Sequence, residues 1–208
     1  MAVSSANRQV LLREQVYEGV KEAIVSGALR PGDIINEAQL AKDYGISRTP
    51  VREALCLLSF QGLLQALPRT GYIVSPLTVR EIQEAYHLRL LLEVEAIGLA
   101  VERITEEEIR QLESLADGRT GPEMRIVNRE FHSLIADASG SGRLARLIKQ
   151  LLDEMDRMLY LDPHISAPTG PYEHTDMVEA LRKRDKKAAQ QAMRRHIEEG
   201  RTRLLQLM

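Results

Sequence analysis

The sequence predicts a mostly α-helical protein with an N-terminal winged helix-turn-helix domain at 10–76 and a C-terminal antiparallel all-helical bundle at 77–208. Three observations predict this architecture. Two short helical patterns are separated by one tight turn at Gly45, as in a helix-turn-helix unit. A β-hairpin pattern follows at 63–74. After the proline-containing junction at 75–77, only helical periodicity remains, which is typical of a helix bundle.

The first helix of the helix-turn-helix is marked at both ends. Asn36 is a helix-capping residue type, and Gly45 readily takes the left-handed conformation that ends helices. A support helix is predicted upstream at 15–29, because apolar residues recur there at helical spacing. Residues 1–9 are expected to form a flexible N-terminus.

The second helix carries the most informative pattern of the chain. Ser47 or Thr49 can accept bonds from its first amides, and Pro50 suits a first turn. Arg48 and Arg52 are four residues apart and share an exposed face. Such a pair can bind guanine in the major groove, although a solvated arginine face on an ordinary helix gives the same pattern.

A hairpin follows this helix. Gly62 ends the helix, and strands at 63–67 and 72–74 flank the turn 68–71. The hairpin has the position of a wing, and Gly71 would let its backbone approach a phosphate or the minor groove.

The phrases INEAQLAKDYGISRTPVREAL and PRTGYIV resemble the DNA-binding domain of GntR-family bacterial transcription regulators. The resemblance implies that Arg48, Thr49 and Arg52 contact bases and phosphates and that Gly71 is the wing-tip contact. Ser47, at the start of the same helix, is a further DNA-binding candidate.

Three positions depart from the pattern of the family. Ala38 stands where some members carry a DNA-contacting arginine. Cys56 and Leu57 replace residues that are commonly polar, and we expect both side chains to add packing.

Composition is compatible with a cytoplasmic protein. The chain has 208 residues, one cysteine and a net charge of −2, so neither a disulfide framework nor a broad basic field is expected. No apolar run approaches the ~20 residues of a membrane span. Affinity for DNA would therefore depend on clustered arginines and dimer symmetry.

Six helices are predicted in the bundle. Thr78 and Glu81 form a capping-box pattern at the start of the first. The segments 117–121 and 162–169 are expected to be the least ordered. The predicted helices span 78–104, 105–117, 122–139, 142–161, 171–184 and 186–207.

Three histidines lie on apolar faces of three different helices: His132, His174 and His196. Asn128 precedes the first by one turn. One inward histidine is usually a hydrogen-bonded core residue, whereas three from separate helices fit a site for Zn or a similar divalent ion. The two other histidines, at 87 and 164, lack such surroundings.

The same residues resemble the signature of the FCD ligand-binding domain found in the FadR group of the GntR family. The resemblance implies a divalent metal ion at Asn128, His132, His174 and His196, with Zn expected first and Ni, Mn or Fe possible. Asn128 stands where aspartate is frequent, which removes one negative ligand. Six helices indicate the smaller, VanR-like variety.

Arg89 and Glu93 both fall on the inward stripe of the first bundle helix. Their spacing predicts an ion pair. Alternatively, Arg89 binds the carboxylate of an effector, and FCD regulators by resemblance commonly sense small organic acids.

The sequence therefore predicts a ligand-responsive regulator, a repressor, that binds an inverted-repeat operator in double-stranded DNA as a homodimer and responds to a small carboxylate effector. Two alternatives stay open. One is a metal-dependent enzyme using the three histidines, although no H-E-x-x-H pair is present. The other is a regulator whose helical domain only dimerises and binds no metal.

Overall fold

The structure is a computed structural model that describes residues 5–76, 78–116, 124–161 and 174–207. The chain divides into two compact units, Met1–Leu77 and Thr78–Met208. In chain order the elements are α1 (Ser5–Val25), β1 (Ile34–Ile35), α2 (Glu37–Asp43), α3 (Arg48–Phe60), β2 (Leu64–Leu67), β3 (Gly71–Val74), α4 (Val79–Arg103), α5 (Glu106–Ala116), α6 (Met124–Ala138), α7 (Gly142–Leu161), α8 (Thr175–Arg182) and α9 (Lys186–Leu207).

The N-terminal unit is a winged helix-turn-helix. Helix α1 packs against α3, and buried residues of both helices form one core with the sheet. The sheet has the order β1-β3-β2 with antiparallel pairs throughout. Strand β1 was not predicted, because two residues are too few to show the alternation that identifies a strand.

Helix α1 begins at Ser5, ten residues before the predicted start at Gln15. Residues 5–9 are therefore part of the helix and residues 1–4 lie outside the described part, so the flexible segment at 1–9 stays a prediction. Val16 and Ile24 are fully buried in the core. This packing stabilises the C-terminal half of the helix, from which the N-terminal half can propagate.

The C-terminal unit is built around α4, which packs against α6, α7 and α9. The predicted capping box is present: Thr78 Oγ1 accepts from Glu81 N, and Glu81 Oε2 accepts from Thr78 N. Helix α8 begins at Thr175 rather than residue 171, and residues 171–173 lie outside the described part. The two segments expected to be least ordered, 117–121 and 162–169, both lie outside it.

Among the described residues, no helix combines the length and the apolar character that crossing a membrane requires.

Candidate metal centre and nucleic-acid interface

The fold brings together the three predicted histidines. His132 lies on α6, His174 occupies the N-cap position of α8, and His196 lies on α9. All three side chains are buried, and one ring nitrogen from each lies within 4.8 Å of the others. His132 Nε2 lies 3.1 Å from His196 Nε2.

The 3.1 Å separation of His132 Nε2 and His196 Nε2 fits a shared metal ion. A metal–nitrogen bond of about 2.0–2.1 Å places two ligand nitrogens roughly 3.0–3.4 Å apart. Asn128 lies one turn before His132 on α6, and its Oδ1 is buried with no hydrogen-bond partner among the described residues. His87 is exposed, as expected, and residue 164 lies outside the described part.

Glu93 joins the histidine cluster to the buried Arg89. Arg89 Nε donates to Glu93 Oε1 at 2.6 Å, which confirms the predicted ion pair. Glu93 Oε2 lies 2.5 Å from His132 Nδ1, a contact that helical spacing alone did not indicate. A carboxylate at Nδ1 holds the proton on that nitrogen and leaves Nε2 for a metal ion.

The surroundings of His174 and His196 favour the uncharged imidazole. Burial, followed by repulsion from His132 and Arg89, lowers the pKa of His174 to about 3. Burial lowers the pKa of His196 as well. Burial raises the pKa of Glu93, but Arg89 and His132 outweigh it and lower the pKa to about 2. The neutral imidazole is the form of histidine that binds a metal ion.

In the N-terminal unit, a groove of about 440 Å³ separates α3 from the wing. It contains three arginines and one glutamate, so its charge has the sign that suits a polyanion. Ser47, Arg48 and Thr49 are exposed at the start of α3. The groove is lined by Asn36, Glu37, Ala38, Arg48, Arg52, Ala66, Leu67, Arg69, Thr70, Gly71 and Tyr72.

Arg69 was not predicted as a site residue. It is exposed in the wing turn with φ of +65°. Its position in the turn 68–71 was visible in the sequence, but only the fold shows that this turn faces the same groove as Arg48 and Arg52.

Arg52 is held by a glutamate from the preceding helix. Its Nε donates to Glu37 Oε1 and Oε2 at 3.2 and 3.1 Å, and its Nη2 donates to Oε2 at 2.9 Å. The hydrogen bond to Glu37 raises the pKa of Arg52 above its usual value. Helical periodicity gave no indication of this contact, because Glu37 and Arg52 lie 15 positions apart on different helices.

Two details differ from the expectations. Ser47 is the N-cap residue of α3, yet its side chain makes no capping hydrogen bond. Gly71 has φ of +130°, and a Cβ there would lie 2.3 Å from the carbonyl oxygen of Ile35. The pairing of β1 with β3 alone therefore requires a glycine at this position, and a DNA contact by Gly71 stays a prediction.

The expectation that Cys56 and Leu57 add packing is wrong. Cys56 is exposed and Leu57 is 44% exposed, because both point away from the α1–α3 contact. Cys56 Sγ lies 3.2 Å from the hydroxyl of Tyr72. Burial and the contact with Cys56 raise the pKa of Tyr72 to about 12.

Comparison with known proteins gives a consistent result. Residues 12–74 match the model of bacterial regulatory proteins of the gntR family, and residues 84–199 match the FCD domain. The chain is 35% identical to an uncharacterized HTH-type transcriptional regulator, YdhC of Bacillus subtilis, over 88% of this chain and 86% of YdhC. It is 28% identical to the HTH-type transcriptional repressor RspR of Escherichia coli, over 90% of this chain and 86% of RspR.

The solved structure of E. coli McbR/YncC superposes with a TM-score of 0.75 at 27% identity, covering 94% of this chain and 97% of that one. These relatives are transcriptional regulators rather than enzymes, which removes the metal-dependent enzyme as a reading of the histidine cluster. The chain belongs to the gntR family of bacterial regulatory proteins and carries an FCD domain in its C-terminal unit.

Proposed function

We propose that the protein is a dimeric repressor that binds an inverted-repeat operator and releases or retains it in response to a small carboxylate effector held at a metal site in the FCD domain. The observation that carries the proposal is the convergence of three buried imidazoles within 4.8 Å.

The DNA half of the proposal rests on the start of α3. Arg48 and Arg52 line one groove together with the wing, and Thr49 is exposed next to Arg48. In a dimer, the two copies of α3, which we call the reader helix, would recognise the two half-sites of an inverted repeat. Ser47, exposed at the start of α3, and Gly71, in the wing, would add further contacts with DNA.

The effector half rests on the histidine cluster. His132, His174 and His196 supply imidazole nitrogens and Asn128 supplies an amide oxygen, a donor set that suits Zn first and also Ni, Mn or Fe. A bound ion would offer open coordination positions to a carboxylate oxygen. Arg89, which is buried next to Glu93, would interact with the second oxygen of the effector carboxylate.

The first test is the metal content of the purified protein and of His132→Ala, His174→Ala and His196→Ala variants. We expect about one divalent ion per chain in the wild type and a large loss in each variant, because each removes one ligand. Removal by a chelator should lower the thermal unfolding temperature, and Zn should restore it.

His87→Ala is the matched control, since His87 is an exposed histidine on α4. It should keep both metal and stability. Each variant should still bind DNA, because the altered residues lie in the C-terminal unit. If the metal-free protein keeps full stability and full effector response, the histidines are core residues and the helical unit serves dimerisation only.

A further inference from the structure

A carboxylate in the arginine groove needs an explanation. Glu37 lies among the residues that line the groove, where it opposes the charge of three arginines. A negative charge facing phosphates lowers the affinity for any DNA sequence. Exposed ion pairs contribute little to folding stability, and the Arg52 side chain is 62% exposed. Affinity for DNA therefore does not account for the placement of Glu37 beside Arg52, and the ion pair itself adds little to stability.

The geometry of the contact gives a specific role. Glu37 accepts from both Nε and Nη2 of Arg52, which are the two donors on one edge of the guanidinium. The planar group has a second two-donor edge, formed by Nη1 and Nη2. That second edge is the one left for a bidentate contact with the O6 and N7 atoms of guanine.

Glu37 is itself held in place. It is the first residue of α2, directly after Asn36, whose Oδ1 accepts from the amides of Ala38 and Gln39. Its side chain is only 20% exposed. The carboxylate of Glu37 is therefore held more rigidly beside Arg52 than a carboxylate on a loop would be.

We infer that Glu37 is a specificity-determining residue of the DNA interface, which holds one edge of Arg52 so that the other edge reads a base instead of binding phosphate. This inference rests on the proposed function, because it requires Arg52 to contact DNA. Glu37 acts through Arg52 and is a positioning residue.

The test compares two duplexes: one that the wild-type protein selects from a random library, and a scrambled duplex of the same length and composition. Fluorescence anisotropy gives both affinities, and their quotient is the specificity ratio. Glu37→Gln should lower this ratio roughly 5- to 150-fold, the discrimination of one bidentate base contact. Affinity for the scrambled duplex should stay equal or rise, because a charge that repels phosphate is gone.

Three further variants make the test specific. Glu53→Gln removes the same charge from an exposed residue next to Arg52 and should leave the specificity ratio unchanged. In an Arg52→Ala background, Glu37→Gln should have no additional effect on the ratio. Glu37→Asp keeps the charge at the start of α2 but shortens the side chain, so it should lower the ratio in a protein that folds normally.

The outcomes separate the inference from the proposed function. If Arg52→Ala lowers the ratio and Glu37→Gln does not, Glu37 is not a positioning residue, whereas Arg52 keeps its role. If Glu37→Gln lowers the ratio equally with and without Arg52, the carboxylate acts on DNA by itself and the inference is wrong. If Arg52→Ala binds both duplexes like the wild type, the proposed DNA contact fails and the inference fails with it.

Discussion

Glu93 is a single buried carboxylate that contacts two residues of different kinds. One oxygen accepts from the Arg89 guanidinium, and the other lies against a ring nitrogen of His132. A buried carboxylate is tolerated only where such partners compensate for its lost hydration. The same two contacts connect the candidate effector-binding arginine with the candidate metal ligands, so a change at Glu93 should affect both.

We expect Glu93→Gln to weaken metal binding about 10- to 100-fold, because the amide no longer fixes the tautomer of His132. It should also lower the free energy of unfolding by about 3 kcal/mol, since it breaks a buried ion pair. Competition with a chromophoric chelator and urea unfolding of the metal-free protein measure the two effects. Glu95→Gln, an exposed position on the same helix, should change neither. Unaltered metal affinity in Glu93→Gln would remove Glu93 from the site.

At the scale of elements, the two helices of the helix-turn-helix begin in different ways. Helix α2 has a capping side chain, since Asn36 Oδ1 accepts from two backbone amides at 2.9 and 3.1 Å. Helix α3 begins at Ser47 without a capping hydrogen bond from its side chain. The first amides of the reader helix are therefore left to water or to a ligand, and helix N-termini bind phosphate well.

This difference predicts opposite outcomes for two alanine variants. Asn36→Ala should lower the free energy of unfolding by about 1 kcal/mol, because α2 loses its cap. Ser47→Ala should change it by less than roughly 0.5 kcal/mol, as at other exposed positions without a special contact. Urea unfolding followed by circular dichroism tests both. Equal losses would show that Ser47 caps α3 in solution.

The sequence predicts these elements to different extents. Gly45 and Gly62 both have positive φ and follow the ends of α2 and α3, as the pattern predicted. The inward faces of the bundle helices also follow from their periodicity, and with them His132 and His196, whereas His174 lies at the N-cap of α8 and not on a helix face. Strand β1 exists only through its pairing with β3, so no local signal could reveal it. His132, the second partner of Glu93, lies on a different helix. Helical periodicity indicates only partners on the same helix, so it could not reveal this contact.

At the scale of the whole molecule, α4 presents apolar residues to solvent. Leu88 and Leu91 are 45% and 57% exposed, one turn apart on the longest helix. Beside them a groove of about 380 Å³ carries Glu95 on α4 and cations, including Lys187, on α9. A surface with apolar, acidic and basic residues can pair with a second copy of itself around a two-fold axis. We propose that the dimer forms through this surface.

Leu91→Asp should therefore raise the dissociation constant of the dimer at least about tenfold, since a charge would be buried in an apolar contact. Sedimentation velocity over a range of protein concentrations measures it. Ile126→Asp on α6, at an equally exposed leucine-sized residue, is the matched control and should stay dimeric. A dimer unaffected by Leu91→Asp would place the interface elsewhere.

The close approach of Gly71 to Ile35 has a consequence for the thermodynamics of DNA binding. Ile35 directly precedes Asn36 and Glu37, so the wing is joined through β1 to the residues that hold Arg52. The distance between the wing and α3 would then be the same before and after the protein binds DNA. Binding would not have to order a flexible hairpin, and little conformational entropy would be lost. In calorimetry, the heat-capacity change should reflect the buried area alone, without a contribution from coupled folding.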